Sequence, residues 1–127
     1  MSYLLAGLFK QHDKSKFDLF AFSFSPEKND EMSKKIPNYF NDFIKVNFKT
    51  DKEISEISRS LKIDIAIDLL CFTKNNRMGI FSERCAPIQI NYLGYPGTSG
   101  ADFIDYIFAD KILIPKENQK YYSEKII

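Results

Sequence analysis

Residues 50–70, TDKEISEISRSLKIDIAIDLL, decide the fold class. The stretch opens on Thr50-Asp51-Lys52-Glu53, the pattern of a capping box: the Thr hydroxyl accepts from the third helical N–H, and the Glu side chain reaches back to the Thr N–H. Ile54, Ile57 and Leu61 then recur at helical spacing. Lys62 brings positive charge to the helix end where it is favoured. From residue 63 the period changes to two. Ile63, Ile65, Ile67 and Leu69 share one face, and Asp64, Ala66, Asp68 and Leu70 share the other. A capped helix running into such a strand predicts an α/β protein with this strand near the centre of its sheet.

Working outward, residues 2–10 predict a helix, with Leu4, Leu5, Leu8 and Phe9 at helical spacing and Ser2 as cap. Residues 17–24, FDLFAFSF, predict a strand covered on both faces, ended by Ser25-Pro26. Residues 27–35 predict a short exposed helix stopped by Pro37, and residues 40–48 a weaker strand around Phe43-Ile44-Lys45-Val46. Downstream come a short helix over 77–84, strands over 87–93 and 103–109, a short helix over 116–123, and a strand beginning at Ile126. This alternation predicts a Rossmann-like α/β fold, a mainly parallel sheet flanked by helices. The phenylalanines fall at strand and helix spacing, which suits a core better than a platform for stacking bases.

The 127 residues suit one domain or part of one. Eighteen basic and seventeen acidic residues leave a net charge of +1, so charge recommends neither nucleic acid nor an anionic membrane as partner. No apolar run approaches the ~18–20 residues of a membrane span, and the first ten residues do not read as a signal peptide. The helical start and the abrupt apolar end lead us to expect a fragment of a longer chain. Cys71 and Cys85 form no CxxC pair, and His12 is the lone histidine. That argues against a zinc site and a Cys-His nucleophile, and for two reduced, buried thiols in a cytoplasmic protein.

Gly94, Gly97 and Gly100 lie together in GYPGTSG, just past the strand over 87–93. Sites in parallel α/β proteins lie past the carboxyl ends of strands. Pro96-Gly97 suits the centre of a type II turn, with Gly97 at positive φ. The GxxGxxG spacing is neither the dinucleotide fingerprint nor a phosphate loop. Two readings stay open from the residues alone: a tight connection between strands, or a ligand-contacting loop. Asp64 and Asp68 share a strand face, where hydrogen bonding to loop backbone competes with acid–base or metal chemistry. Thr73 to Arg77 reads as a polar turn or an anion site at a helix start. Arg77, Arg84 and His12 read as surface groups.

The run APIQINYLGYPGTSGADFIDYI, residues 86–107, is long and specific. With IDIAIDLLCFTKNNR before it and YYSEK after it, it resembles the catalytic region of the O-linked N-acetylglucosamine (O-GlcNAc) transferase family, glycosyltransferase family 41. That family includes tetratricopeptide-repeat enzymes and Spindly-type proteins. The resemblance implies that residues 1–127 are a single partial domain, the N-terminal lobe of a GT-B glycosyltransferase. The second, nucleotide-binding lobe would lie beyond Ile127, and any tetratricopeptide repeats upstream. It also implies transfer of N-acetylglucosamine, or fucose in some members, from a nucleotide donor such as UDP-GlcNAc to Ser/Thr hydroxyls of proteins. The reaction would invert the anomeric centre and use no metal or cofactor, and the isolated chain would be inactive. By resemblance Leu93, Gly94, Tyr95 and Pro96 bind the donor sugar, while Thr73, Gly97 and Thr98 line the cleft. It assigns no catalytic group and no metal ligand to this chain. The family's usual Gly-Tyr-Thr is here Cys71-Phe72-Thr73, and a family histidine would align near Asp42. The readings from other classes are a stand-alone α/β binding module and a non-catalytic scaffold.

Overall fold

Thr50 forms the reciprocal cap that its sequence predicts. In the computed structural model, which describes residues 2–24, 26 and 29–127, the Glu53 N–H donates to the Thr50 hydroxyl at 3.2 Å. The Thr50 N–H in turn donates to the Glu53 carboxylate at 2.7 Å. Helix α3 (Asp51–Ser60) starts there. It ends with Lys62 in the left-handed region at φ 55°, its N–H on the Arg59 carbonyl and the Ile63 N–H on the Ser58 carbonyl. This is a Schellman stop with lysine where glycine is usual. The buried face carries Ile54, Ser55 and Ser58, rotated from the Ile54, Ile57, Leu61 line that spacing suggests. The small serines let helix α4 (Met78–Ser82) pack against it. Thr50→Ala is expected to lower stability by about 1 kcal/mol, the usual worth of an N-cap, read as a fall in thermal melting temperature.

The chain folds as two compact units, one up to Lys49 and one from Thr50 onward. The first holds helix α1 (Ser2–Gln11), strand β1 (Phe20–Ser23), helix α2 (Glu31–Lys35), a 3-10 turn (Ile36–Tyr39) and strand β2 (Asp42–Lys45). β1 and β2 run parallel, with Phe20 opposite Asp42 and Ser23 opposite Lys45. Leu5, Ile36 and Val46 are buried, and the Phe40 ring sits between those of Phe9 and Phe43. β1 is shorter than the expected strand over 17–24. The Asn41 N–H still donates to the Leu19 carbonyl at 2.7 Å, but its side chain accepts from the Leu19 N–H at 2.8 Å and donates to Asp18 at 2.9 Å, so the pairing there is to a side chain. Asp30 caps α2 by accepting from the Ser33 N–H. The cap expected from the Ser2 side chain lies outside the described residues, as do Ser25, Glu27 and Lys28 of the expected strand end and helix start.

The second unit carries α3, α4 and a four-stranded sheet in the order β3 (Ile65–Asp68), β4 (Ile88–Asn91), β5 (Tyr106–Ile107), β6 (Lys125–Ile126). Every pairing is parallel. With helices alongside, this is the expected α/β, Rossmann-like class. Three expectations are corrected. The strand expected at the centre, β3, is an edge strand of its sheet. Its isoleucine face is also the open one, Ile65 and Ile67 each being 46% exposed, whereas the face bearing Asp68, Gln89, Asn91 and Ile107 is buried. Apolarity on both faces cannot say which face the helices cover, and here the covered face holds polar groups. Finally, the core is isoleucine rather than phenylalanine: Ile54, Ile80, Ile90, Ile104, Ile107 and Ile114 are buried, and of the described phenylalanines of this unit only Phe81 joins them. Phe17, Phe48, Phe72 and Phe108 are exposed, all of them in the connections between elements.

No α-helix links β4 to β5 or β5 to β6. Parallel neighbours still need a crossover of a dozen or more residues. Between β4 and β5 that crossover is the glycine-rich loop itself.

Candidate functional site

Two loops leave the carboxyl ends of the adjacent strands β3 and β4, and the backbone brings them together. β3 exits through a turn in which the Leu70 N–H donates to Asp68 Oδ1 at 2.9 Å. Cys71 follows in the left-handed region at φ 45°, at the position where the resemblance implies glycine. The Thr73 N–H closes the turn on the Leu70 carbonyl at 3.1 Å. Alongside, the Tyr92 N–H donates to the Asp68 carbonyl at 2.9 Å as β4 ends. Leu93 then takes φ 73°, and the Gly94 N–H donates to the Tyr92 carbonyl at 2.9 Å. A bond from residue i+2 to i around positive φ is the rare, strained form of the γ-turn. Strain of this kind persists where surrounding structure over-determines it, and it clusters at ligand sites.

Gly94 is needed for room rather than for φ. A Cβ there would lie 2.1 Å from the Leu69 carbonyl oxygen and 2.8 Å from its carbon. Positive φ belongs instead to Leu93 and Gly100. The type II turn expected at Pro96-Gly97 is therefore not formed, because Gly97 does not adopt positive φ. Asn91 Nδ2 donates to the Tyr95 carbonyl at 3.2 Å, and the Phe72 and Tyr95 rings meet edge-on at 5.5 Å. Leu93, Gly94, Tyr95 and Pro96 thus sit beside the turn carrying Thr73. Leu93, Tyr95, Pro96 and Phe72 are exposed on its rim.

The second half of the loop turns inward. Thr98 Oγ1 donates to Glu124 Oε2 at 2.7 Å, and the Ser99 N–H and hydroxyl both donate to Oε1. The Thr98 hydroxyl is therefore committed to Glu124. Burial pushes the Glu124 carboxyl up, but the bonds from Ser99 and Thr98 outweigh it and hold it below its ordinary value. Stability from that group is present above its unfolded pKa and is lost as pH falls through the folded one.

Asp68 behaves oppositely. Burial raises its pKa against the N–H groups of Leu70 and Cys71. Its Oδ2 has no partner among the described residues, nor do Oδ1 of its register partner Asn91 and Oγ1 of Thr73. The Asp68 contribution is present below its unfolded pKa and fades as pH rises through the folded one. Asp68→Asn keeps the acceptor for Leu70 and replaces the orphaned oxygen with a donor. We expect it to stabilise the unit by about 1 kcal/mol at pH 8 and by less at pH 4, as read from melting temperatures at the two pH values.

The remaining candidates are used structurally. Arg77 pairs with Asp51. Arg84, read from sequence as a surface charge, binds both Asp105 oxygens at 2.8 and 2.9 Å and the Pro87 and Phe103 carbonyls. Cys71 and Cys85 are free and buried, and burial pushes the Cys85 thiol up to about 11 and Cys71 in the same direction, which favours the thiol over the reactive thiolate. His12 packs edge-on against Phe17 in the first unit. No three His, Cys, Asp or Glu side chains gather as a metal-ligand group among the described residues. No helix among them is long and apolar enough to cross a membrane. An open depression lined by Arg59, Lys62, Asp64 and Arg84 lies at the amino ends of β3 and β4, away from both loops.

Sequence reasoning missed two residues. Gln89, wholly buried, accepts from the Cys85 N–H at 2.9 Å and donates to the Phe81 and Phe103 carbonyls. Its signal was a polar residue inside the apolar strand PIQINYL. Glu124 had only its place in YYSEK.

The sequence profile described as Glycosyl transferase family 41 matches residues 1–127. A probable UDP-N-acetylglucosamine–peptide N-acetylglucosaminyltransferase, SEC, of Arabidopsis thaliana is 34% identical over the whole chain, which covers 13% of that protein. The Caenorhabditis elegans UDP-N-acetylglucosamine–peptide N-acetylglucosaminyltransferase is 32% identical over 98% of the chain and 11% of its own length. Among solved structures, a mutant O-GlcNAc transferase of Thermobaculum terrenum superposes with a TM-score of 0.93 at 27% identity, over 98% of this chain and 24% of that one. The chain thus spans roughly an eighth of the curated relatives it matches.

Proposed function

The chain belongs to glycosyl transferase family 41, and from that premise we propose that it forms the donor-sugar side of a protein O-GlcNAc transferase. The full enzyme takes N-acetylglucosamine from UDP-GlcNAc and transfers it to Ser/Thr hydroxyls of acceptor proteins. Leu93, Gly94, Tyr95 and Pro96 receive the sugar, with Thr73 and Gly97 beside them. The observation that carries the reading is the strained turn at Leu93-Gly94. It lies past the carboxyl end of β4, backed by a rigid strand pair, with an apolar rim exposed. A preformed turn lowers the ordering cost of binding.

In this reading the acceptor oxygen attacks the anomeric carbon from the side opposite UDP, so the configuration inverts, and no metal takes part. The departing diphosphate needs preorganised donors. Those belong to the nucleotide-binding lobe, so the chain alone does not transfer sugar. Its two free, buried thiols suit the reducing cytoplasm, where we place the enzyme. The test incubates the full-length protein carrying this chain with labelled UDP-GlcNAc and a protein acceptor, with GDP-fucose as the rival donor. Label on Ser/Thr from UDP-GlcNAc alone is the expected result. Label from GDP-fucose changes the sugar, and label from neither favours a scaffold.

A further inference from the structure

We propose that Glu124 is a positioning residue for the donor loop, a carboxylate latch that holds residues 96–99 in place from 25 residues downstream. The proposal rests on the donor reading above and adds a residue to it.

The loop hangs from two supports. Its first half is seated on the exit of β3, through Gly94 over the Leu69 carbonyl and Asn91 on the Tyr95 carbonyl. Its second half is held by three consecutive residues that lead into β6. Tyr122 Oη donates to the Pro96 carbonyl at 3.0 Å, and the Ser123 N–H donates to Thr98 Oγ1 at 3.2 Å. Glu124 takes Thr98 on one carboxylate oxygen and Ser99 on the other. Glu124 is only 4% exposed, and no Lys or Arg pairs with it among the described residues. Carboxylates are seldom buried without a cation. Here the loop's own N–H and hydroxyl donors satisfy the charge, so the loop's conformation and the buried charge depend on each other. Ser99 in turn accepts from the Ala101 N–H at 3.2 Å, and Thr98 from the Gly100 N–H at 3.1 Å, which spreads the restraint along the loop. An apolar residue at 124 would leave this half held only by Tyr122 and Ser123 and take away every partner of the Ser99 N–H named here, while the first half stayed on β3.

The test measures kcat and both KM values in the full-length protein carrying this chain, with melting curves to establish folding. Glu124→Ala is expected to raise the KM for UDP-GlcNAc about 10-fold with the acceptor KM unchanged. Glu124→Gln preserves shape and one acceptor oxygen and is expected to stay within about 3-fold of wild type. A purely structural role would lower the yield or melting temperature and leave the donor KM of the folded enzyme alone. Folded Glu124→Ala with wild-type donor KM, or with both KM values raised equally, overturns the latch. If Glu124→Ala does not fold, Thr98→Val, which removes one arm only, decides: a raised donor KM supports the latch and an unchanged one overturns it. A wild-type protein that transfers nothing from UDP-GlcNAc overturns the donor reading itself, which is a different result from an active wild type with an indifferent variant.

Discussion

Gly94→Ala is expected to lower sugar transfer by about 100-fold or more in the full-length protein, the loss that a displacement of about 1 Å in a positioned group causes. One methyl group suffices because the obstacle is backbone. The added Cβ would sit 2.1 Å from the Leu69 carbonyl oxygen and 3.0 Å from the Leu70 Cα, so either the loop lifts or the β3 exit moves. We expect an accompanying stability loss of about 1–3 kcal/mol from overpacking. The neighbouring glycines provide the control. At Gly97 the atoms nearest a Cβ belong to the Tyr95 ring, at 2.7 Å, and a side chain can swing aside. At Gly100 the space is open but φ is +64°, so alanine there costs about 1 kcal/mol of backbone strain. Gly100→Ala should retain most of the transfer, and Gly97→Ala, which displaces the Tyr95 ring, should fall between it and Gly94→Ala. Transfer assays and melting curves on the three alanine variants check the order. Equal losses at Gly94 and Gly97 would show that the contact with Leu69 does not set the loop.

The largest effect on stability is expected at Gln89. Its side chain is fully buried between the end of α4 and the approach to β5, with both its oxygen and its nitrogen engaged. Gln89→Leu leaves the Cys85 N–H without an acceptor and strips one donor each from the Phe81 and Phe103 carbonyls. We expect a loss of about 3 kcal/mol, a large share of the ~5–15 kcal/mol that holds a domain together. Gln89→Glu keeps the shape and is expected to be worse at neutral pH. It would set a carboxylate oxygen against two carbonyls in a buried site, at a cost of about 3–5 kcal/mol. The sign can be checked by pH. Burial would raise the new carboxyl's pKa, so the deficit of Gln89→Glu should shrink as pH falls and the group becomes a neutral acid. Melting temperatures of both variants at pH 7 and pH 4.5 read this directly. A Gln89→Glu variant as stable as wild type at pH 7 would mean that the site is wetter than its burial indicates.

Much of the architecture was legible in the chain because it depends on neighbours. The cap at Thr50 needs only Glu53, three residues on. The strand runs at 65–68 and 88–91 show their period within four residues, and the parallel sheet follows from the alternation of such runs with helices. The glycine loop was legible too, from GYPGTSG following a strand and from the long specific run around it. Tertiary structure decided what no local pattern carries. Which face of β3 is covered is settled only in three dimensions: Asp68 and its neighbours Gln89 and Asn91 are buried, with Gln89 bonded to the Phe81 carbonyl of α4, while Ile65 and Ile67 stay exposed. Positive φ fell to Leu93 and Cys71, non-glycine residues held there by hydrogen bonds and packing around them, while Gly94 is required by the carbonyl of Leu69, just past the end of β3. Thr98, expected on the cleft wall, and Ser99 are turned inward by Glu124 from about 25 residues away. Hydrogen bonds within a turn and the periods of helix and strand are encoded residue by residue. Close approach, burial and the satisfaction of a buried charge exist only once distant segments have met.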